Sequence, residues 1–562
     1  MINKISVENS VGSVNSKYTR QQKEGIKQNP NFKGLGALAL LGIQKCEQVP
    51  MINVAVIDML SAILPRTIVE SMTNWFAGFE ALRRESSGLI VNCLIPSFIT
   101  LGIAKCLNPA FMPKGVNMSR SWADIDLINE AAADYEASVA DDKVADSLKR
   151  IINSIEGVDG KEKVKFTEKI GEENIEKYAK ELAEISRKDI DNSEMRKQVG
   201  KISKEIIEKT RVSEHVSVGN VTSQSVGSVL EDSVKFFREF QRQKGEVKVS
   251  MADFAAKNKN LVRTKSLLGL AVVLPLAASM QYINRWITGK LSGTKGAPIY
   301  DDFAKGKDNI EENPEAKKGL LKQKLISISS MAAVSLLSLT KMPTWKMLDF
   351  KGMFPTMDQA RIISTTTFAS RMAAADDKNE LAEATVRDIA TFASLYYLGD
   401  VAAKGAATII QNKTGEVLLN DMKPLKKNAN AWDKFKHWMK DVNIKASNEV
   451  VSKTEQALKA KGLKPTREQA EIIEKELKKV VNYRSYCQVT NIGVSLALLG
   501  LIIPIFTRRN TKKKHEQALK LAQEQNKTQT ENNNKEAVVT PLNVQYSKLT
   551  AGFRAGNQQK TA

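Results

Sequence analysis

The chain has 562 residues, with 84 Lys and Arg against 63 Asp and Glu, a net charge of +21 and a mean hydropathy of −0.29. Its four cysteines form no C-x-x-C pair and its three histidines lie far apart. A disulfide framework, a zinc helix or a histidine-based catalytic triad therefore has almost no raw material, unless distant residues converge.

In a soluble chain this charge would point to nucleic acid. Here the excess lies near the N-terminus, in 411–487 and in the C-terminal tail, beside apolar runs. In that position it reads as a topology signal and an attraction to anionic lipid, so nucleic acid is not the expected partner.

Residues 1–33 read as a disordered basic leader with no apolar core, so no cleavable secretory signal is expected. Residues 34–107 hold apolar helices and the first clear span. Within them Leu35–Leu64 is split by Gln44, Lys45, Glu47, Gln48 and Pro50 into two pieces, each too short to span alone. It reads as one interrupted span, a re-entrant pair or buried core helices, and Asp58 sits in its second piece. Gly88–Leu107 is about one bilayer long, and only Lys105 near its end is charged.

Residues 108–264 read as a charged helical extramembrane domain. Leu148, Ile151, Ile152 and Ile155 fall on one helical face, whereas Val212–Val229 reads as a loop or linker. Residues 265–340 hold a pair of spans, Leu267–Trp286 and the Ser-rich Leu325–Leu339. Residues 341–410 form a helical region with one further span candidate, Ile389–Ile410, which contains Asp400.

Residues 411–487 read as amphipathic and interfacial helices. In Ala431–Lys445, Trp432, Phe435, Met439 and Val442 share a face, with Trp438 at its edge and Lys434, Lys436, Lys440 and Lys445 around it. That pattern suits a helix in the headgroup layer touching anionic lipid, although a helix packed on the rest of the protein uses the same stripe. Thr466-Arg467-Glu468-Gln469 has capping-box form and starts a helix leading to residues 488–507. There Val489–Phe506 is an uncharged final span. Residues 508–562 form a basic, Gln/Asn-rich tail expected to be disordered. The cluster Arg508, Arg509, Lys512, Lys513 and Lys514 places that tail in the cytoplasm, and the basic leader favours the same side. Two cytoplasmic ends require four or six spans.

The expected fold is therefore all-α: a polytopic helical membrane protein with a charged helical extramembrane domain. Gly34-Leu35-Gly36-Ala37-Leu38-Ala39 fits a loose dinucleotide pattern, but a polar turn precedes it instead of a strand. Two local echoes suggest an internal repeat. Leu267-Leu268-Gly269-Leu270 with Pro275 resembles Leu498-Leu499-Gly500-Leu501 with Pro504. Arg66-Thr67-Ile68-Val69 resembles Arg361-Ile362-Ile363-Ser364, each followed by a Leu-Gly pair, Leu101-Gly102 and Leu398-Gly399. Leu, Gly and Pro also recur in any set of membrane helices, so the echoes alone decide nothing.

No catalytic residue, metal or cofactor is expected. The expected role is a non-enzymatic scaffold, envelope or partner-binding protein, with a protein partner reached through 108–264. The alternative is a transporter or channel, which needs Asp58 and Asp400 at membrane depth in a shared cavity. On the plainer reading both carboxylates face water.

Overall fold

The computed structural model describes residues 50–506 apart from short stretches, of which 293–313 is the longest, and beyond them only Arg509 and Lys513. The leader, the Gly34–Ala39 stretch, Cys46, His515 and the tail lie outside the described residues.

Helix α1 (Pro50–Asp58) continues through a π-helical turn, Met59–Ile63, into α2 (Leu64–Ser71). Helix α3 (Trp75–Leu89) continues through a second, Ile90–Leu94, into α4 (Ile95–Phe111). Each turn ends two residues before a proline, Pro65 or Pro96. Proline lacks an N–H and its ring clashes with the turn before it. The wider π-turn accommodates both effects and lets the helix run on.

A separate domain follows. It comprises α5 (Ile125–Ala137), α6 (Lys143–Ser154), α7 (Phe166–Ile170), α8 (Glu172–Arg187), α9 (Asn192–Thr210) and α10 (Val226–Gln241). Asp142 caps α6 by accepting from Ala145 N at 3.0 Å. The stripe Leu148, Ile151, Ile152 and Ile155 is buried as its spacing predicts. The core adds Tyr178, Phe236, Phe237 and Phe254, with Phe236 and Phe254 5.1 Å apart between ring centroids. An antiparallel sheet was not expected here. It has the order β2-β1-β3-β4, from β1 (Ile155–Asp159), β2 (Glu162–Lys165), β3 (His215–Val218) and β4 (Gln224–Ser225). The Val212–Val229 stretch is therefore not a plain linker: it supplies two short strands and the start of α10, whose Val226 and Val229 enter the core.

Helix α11 (Met251–Ser292) is a single helix of 42 residues. Its first turns place Met251, Phe254 and Leu261 in the domain core. Further along, Leu270, Val273 and Ala277 pack with Val91, Phe350 and Ile363 in the apolar bundle. One rigid element thus belongs to both cores.

The second half of the bundle starts with α12 (Pro314–Ser338) and a 3-10 turn, Trp345–Leu348. Helix α13 (Met357–Ala373) opens with a capping box of Thr356 and Gln359. Helix α14 (Lys378–Ala393) passes through a π-turn, Ser394–Leu398, into α15 (Gly399–Thr414). Gly415, in the left-handed region at φ +68°, ends α15. Then come β5 (Leu419–Asp421), α16 (Ala431–Lys440), β6 (Val442–Ile444) paired antiparallel to β5, and α17 (Lys453–Ala460). Helix α18 (Arg467–Ser495) opens with the anticipated capping box: Thr466 accepts from Gln469 N, and Gln469 Oε1 accepts from Thr466 N. Its continuation is a π-turn, Leu496–Ile502, again two residues before a proline, Pro504.

The protein is an all-α polytopic membrane protein. Among the described residues, five helical stretches are long and apolar enough to cross a bilayer: Met51–Ser71, Trp75–Phe111, Met251–Leu291, Gly319–Ser338 and Arg467–Phe506. Their outward faces carry exposed Phe98, Leu268, Val272, Leu337, Ile505 and Phe506, as a lipid-facing surface requires. The first candidate runs past Arg66, because a paired charge inside a bundle does not end a helix; residues 35–49 of the anticipated stretch lie outside the described residues. Ile389–Ile410 is helical throughout but is not among the five.

Candidate functional site

The most charged region of the described bundle interior is a cluster of four arginines and two carboxylates. Arg66 on α2 donates to Glu85 Oε1 on α3 at 2.8 Å, and Arg84 lies 3.4 Å from the same oxygen. Arg371 on α13 lies 3.6 Å from Glu85 Oε2 and donates to Asp388 Oδ1 on α14 at 2.9 Å. Arg387 lies 3.2 Å from that Asp388 oxygen. None of these six side chains is more than 13% exposed. Taking an ion out of water costs several kcal/mol, so each carboxylate needs such partners. Arg66 Nε and Nη2, Arg84 Nε, Arg371 Nε and Asp388 Oδ2 are buried without a hydrogen-bond partner. Arginine stays charged, so the cluster can clamp helices or hold a polar group, but its guanidiniums do not serve as acid or base.

Asp58 is half-buried at the edge of this cluster, within the field of Glu85, Arg66 and Arg371. Asp400 lies elsewhere. It is more than half exposed and pairs with the buried Lys404 at 2.9 Å. No hydrogen bond or ion pair joins the two carboxylates.

Helix α16 presents the anticipated aromatic stripe. Trp432 is 62% and Phe435 49% exposed, yet their rings stack at 5.6 Å, and Phe435 stacks on Trp438 at 6.5 Å. Lys436 Nζ lies 5.8 Å from the Trp432 centroid, and Lys434 is exposed beside it. Met439 is half-buried, and its carbonyl accepts from Lys404 at 2.9 Å. The stripe stops there: Val442 is buried in β6, and Lys445 is buried too, its N–H bonded to Leu418 O. The Lys440 side chain lies outside the described residues. Arg484 on α18 donates to Lys445 O at 3.0 Å. That contact lies five residues before Val489, about 8 Å along the helix axis.

A second buried charge sits where the domain meets α11. Lys265, fully buried, donates to Ser119 O at 3.1 Å and to Ser121 O, and lies 3.8 Å from the Trp122 ring centroid. Trp122 N donates to Asp232 Oδ2 at 2.9 Å. Burial pushes the Asp232 carboxyl up to about 7, against the lowering effect of Lys235, that N–H and Lys265.

Among the described residues, no group of three His, Cys, Asp or Glu is placed to hold a metal ion. An apolar groove of about 200 Å³ lined by Met51, Ala55, Met59, Leu89, Cys93 and Phe354 offers no polar group to orient a ligand. No protein-family model, curated protein or solved structure matches the chain.

Of the carboxylates singled out in the sequence, only Asp58 approaches the cluster. Arg66, Arg84, Glu85, Arg371, Arg387 and Asp388 were missed as a site. A usable signal exists: Arg84-Glu85 and Arg387-Asp388 are adjacent arginine–acid pairs, each a few residues ahead of an apolar run.

Proposed function

We propose that the chain is a non-enzymatic membrane scaffold that holds its helical domain in a fixed orientation on a candidate membrane span for a protein partner. The observation that carries this reading is α11, one helix whose start lies in the domain core and whose continuation is a candidate span. A flexible tether would let the domain tumble; a shared helix fixes its orientation. Asp400 pairs with Lys404 whereas Asp58 lies in the field of Glu85, Arg66 and Arg371, and these different partners favour the scaffold over a shared ion site.

In this reading the basic cluster Arg508–Lys514 keeps the C-terminal tail cytoplasmic. Helix α16 rests in the headgroup layer, with Trp432, Phe435 and Trp438 at the boundary and Lys434 and Lys436 toward anionic lipid. Its height supports that: the Arg484 contact puts the end of β6 about 8 Å from the uncharged span.

The test is twofold. Full-length protein in anionic vesicles is expected to give no ion or solute flux above protein-free vesicles. A photocrosslinker at the fully exposed Val139 of the domain is expected to give one discrete protein adduct in cells. Flux without an adduct would overturn the scaffold in favour of transport. For α16, a fluorophore at F435C should be quenched by nitroxide lipids labelled at the headgroup and not by soluble quencher; the reverse removes the lipid contact.

A further inference from the structure

The bundle repeats itself, in a different register from the one the sequence echoes suggest. In the first half, Arg66 stands in the first turn of α2, and its carboxylate partner Glu85 on α3 follows 19 positions later. In the second, Arg371 stands near the end of α13, and Asp388 follows 17 positions later. Both acids are preceded by an arginine, and both are followed within six residues by a five-residue π-turn, Ile90–Leu94 or Ser394–Leu398. Each helix that emerges then leads to an inserted extramembrane segment. After it comes a long helix bearing Leu-Leu-Gly-Leu, α11 or α18 with its π-turn. Arg361, the residue matched to Arg66 by local sequence, pairs instead with Asp358 at 2.8 Å.

Packing follows the same scheme. Within each half, the long helix lies against the helix after the π-turn at a close glycine contact, with the glycine on opposite partners: Gly269 of α11 faces Thr100 of α4, Gly399 of α15 faces Asn491 and Ser495 of α18, and Gly500, the counterpart of Gly269, faces Ser61 and Pro65. Between halves, each long helix packs on the other half's first helix. Val273 and Ala277 of α11 meet Ile363 of α13, whereas Leu499 and Ile503 beyond α18 meet Ala62 ahead of α2. Helix α12, whose Met331 packs on Phe368 and Met372 of α13, has no counterpart among the described residues of the first half.

The bonding at the junction is nevertheless one-sided. Arg371 reaches both its own Asp388 and the other half's Glu85. Arg66 holds only Glu85, while its Nε and Nη2 remain buried and unpartnered. A structure built from two equivalent units has a counterpart with the roles reversed, at similar energy. We propose that the bundle consists of two equivalent units, and that Arg66 and Arg371 alternate as the arginine bridging Glu85 and Asp388 as the units shift. The π-turns supply the slack, since an extra residue per turn can migrate along a helix without breaking it.

The experiment is pulsed electron–electron resonance on the full chain in lipid nanodiscs, with native cysteines replaced and spin labels at M72C and K378C, next to the hairpins of the two units. Two distance populations are expected. Glu85→Gln removes a bond across the junction that only the present arrangement has, and shifts the ratio toward the exchanged one. Asp388→Asn removes the bond that only the exchanged arrangement has, and shifts it back. Each shift is expected to be about tenfold, equivalent to roughly 1.4 kcal/mol. Arg371→Lys, which keeps the charge but loses the forked reach, should act like Glu85→Gln. A single distance unmoved by all three variants, or shifts in the same direction for Glu85→Gln and Asp388→Asn, overturns the exchange.

Discussion

The helical domain and the apolar bundle are built inside out with respect to each other. The domain buries Phe236, Phe237 and Phe254, and leaves pairs such as Arg150–Asp134 and Lys180–Glu176 at its surface. The bundle turns Leu337, Ile505 and Phe506 outward and keeps Arg371, Glu85 and Asp388 inside. Both obey one rule with two solvents. Water rewards charge outside; hydrocarbon penalises it, so charge retreats inward and must find partners there. An ion pair therefore means different things in the two regions. On the domain it decorates a fold already held by apolar burial, whereas in the bundle it fixes which helices meet.

The strongest way to break that contrast is to remove one charge from each region. Asp388→Ala should destabilise the protein by about 3–5 kcal/mol, because two neighbouring arginines, Arg371 and Arg387, lose a buried partner. Arg150→Ala, on a solvent-exposed pair, should leave stability nearly unchanged. Denaturation in mild detergent, followed by intrinsic fluorescence, compares them; equal losses would erase the distinction.

A pH titration sharpens it at the joint between the regions. The Asp232 carboxyl is raised in the folded chain, so the fold holds a proton there that the unfolded chain releases near its ordinary value of 3.8. Stability from this group is therefore greatest at acid pH, falls as pH rises from about 4 to about 7, and is level above that. The slope should be at most about 1.4 kcal/mol per pH unit. The charged groups around it are Lys235, Glu231 and Lys265. Asp232→Asn should flatten the profile in that window; an unchanged slope would assign it to another group.

The smallest expected effect is on the outer face of the bundle. Leu337→Ala, at a side chain 71% exposed, should change detergent stability by about 0.5 kcal/mol or less. A loss of the size typical of buried leucines would mean that this face is covered, and the inside-out description would fail there.

Much of this architecture is legible in the chain. The uncharged run Val489–Phe506, the stripe at Leu148–Ile155 and the Thr466–Gln469 cap are local signals, and local physics suffices to interpret them. The buried cluster is not local. Arg66 and Asp388 are separated by most of the chain, and hydropathy counts each charge against a span without asking whether a partner waits across the bundle. The same arithmetic split Leu35–Leu64 into two pieces, each too short to span alone, and raised Asp400 to a candidate, although Lys404, one helical turn away, already answers it. The short strands at 155–165 and 215–225 escaped for a different reason: segments of two to five residues carry too little periodicity to stand out from a linker.

The 42 residues of α11 make a rod of about 63 Å. A rod of that length, gripped at one end by lipid and at the other by a folded domain, is a lever. If the span tilts by about 10°, for instance as the bilayer thins, a point 30 Å beyond the pivot swings by about 5 Å, and it swings with the domain attached. Bilayer thickness would then be communicated through α11 to whatever the domain holds, with Pro275 inside the helix as the one place where proline weakens the rod.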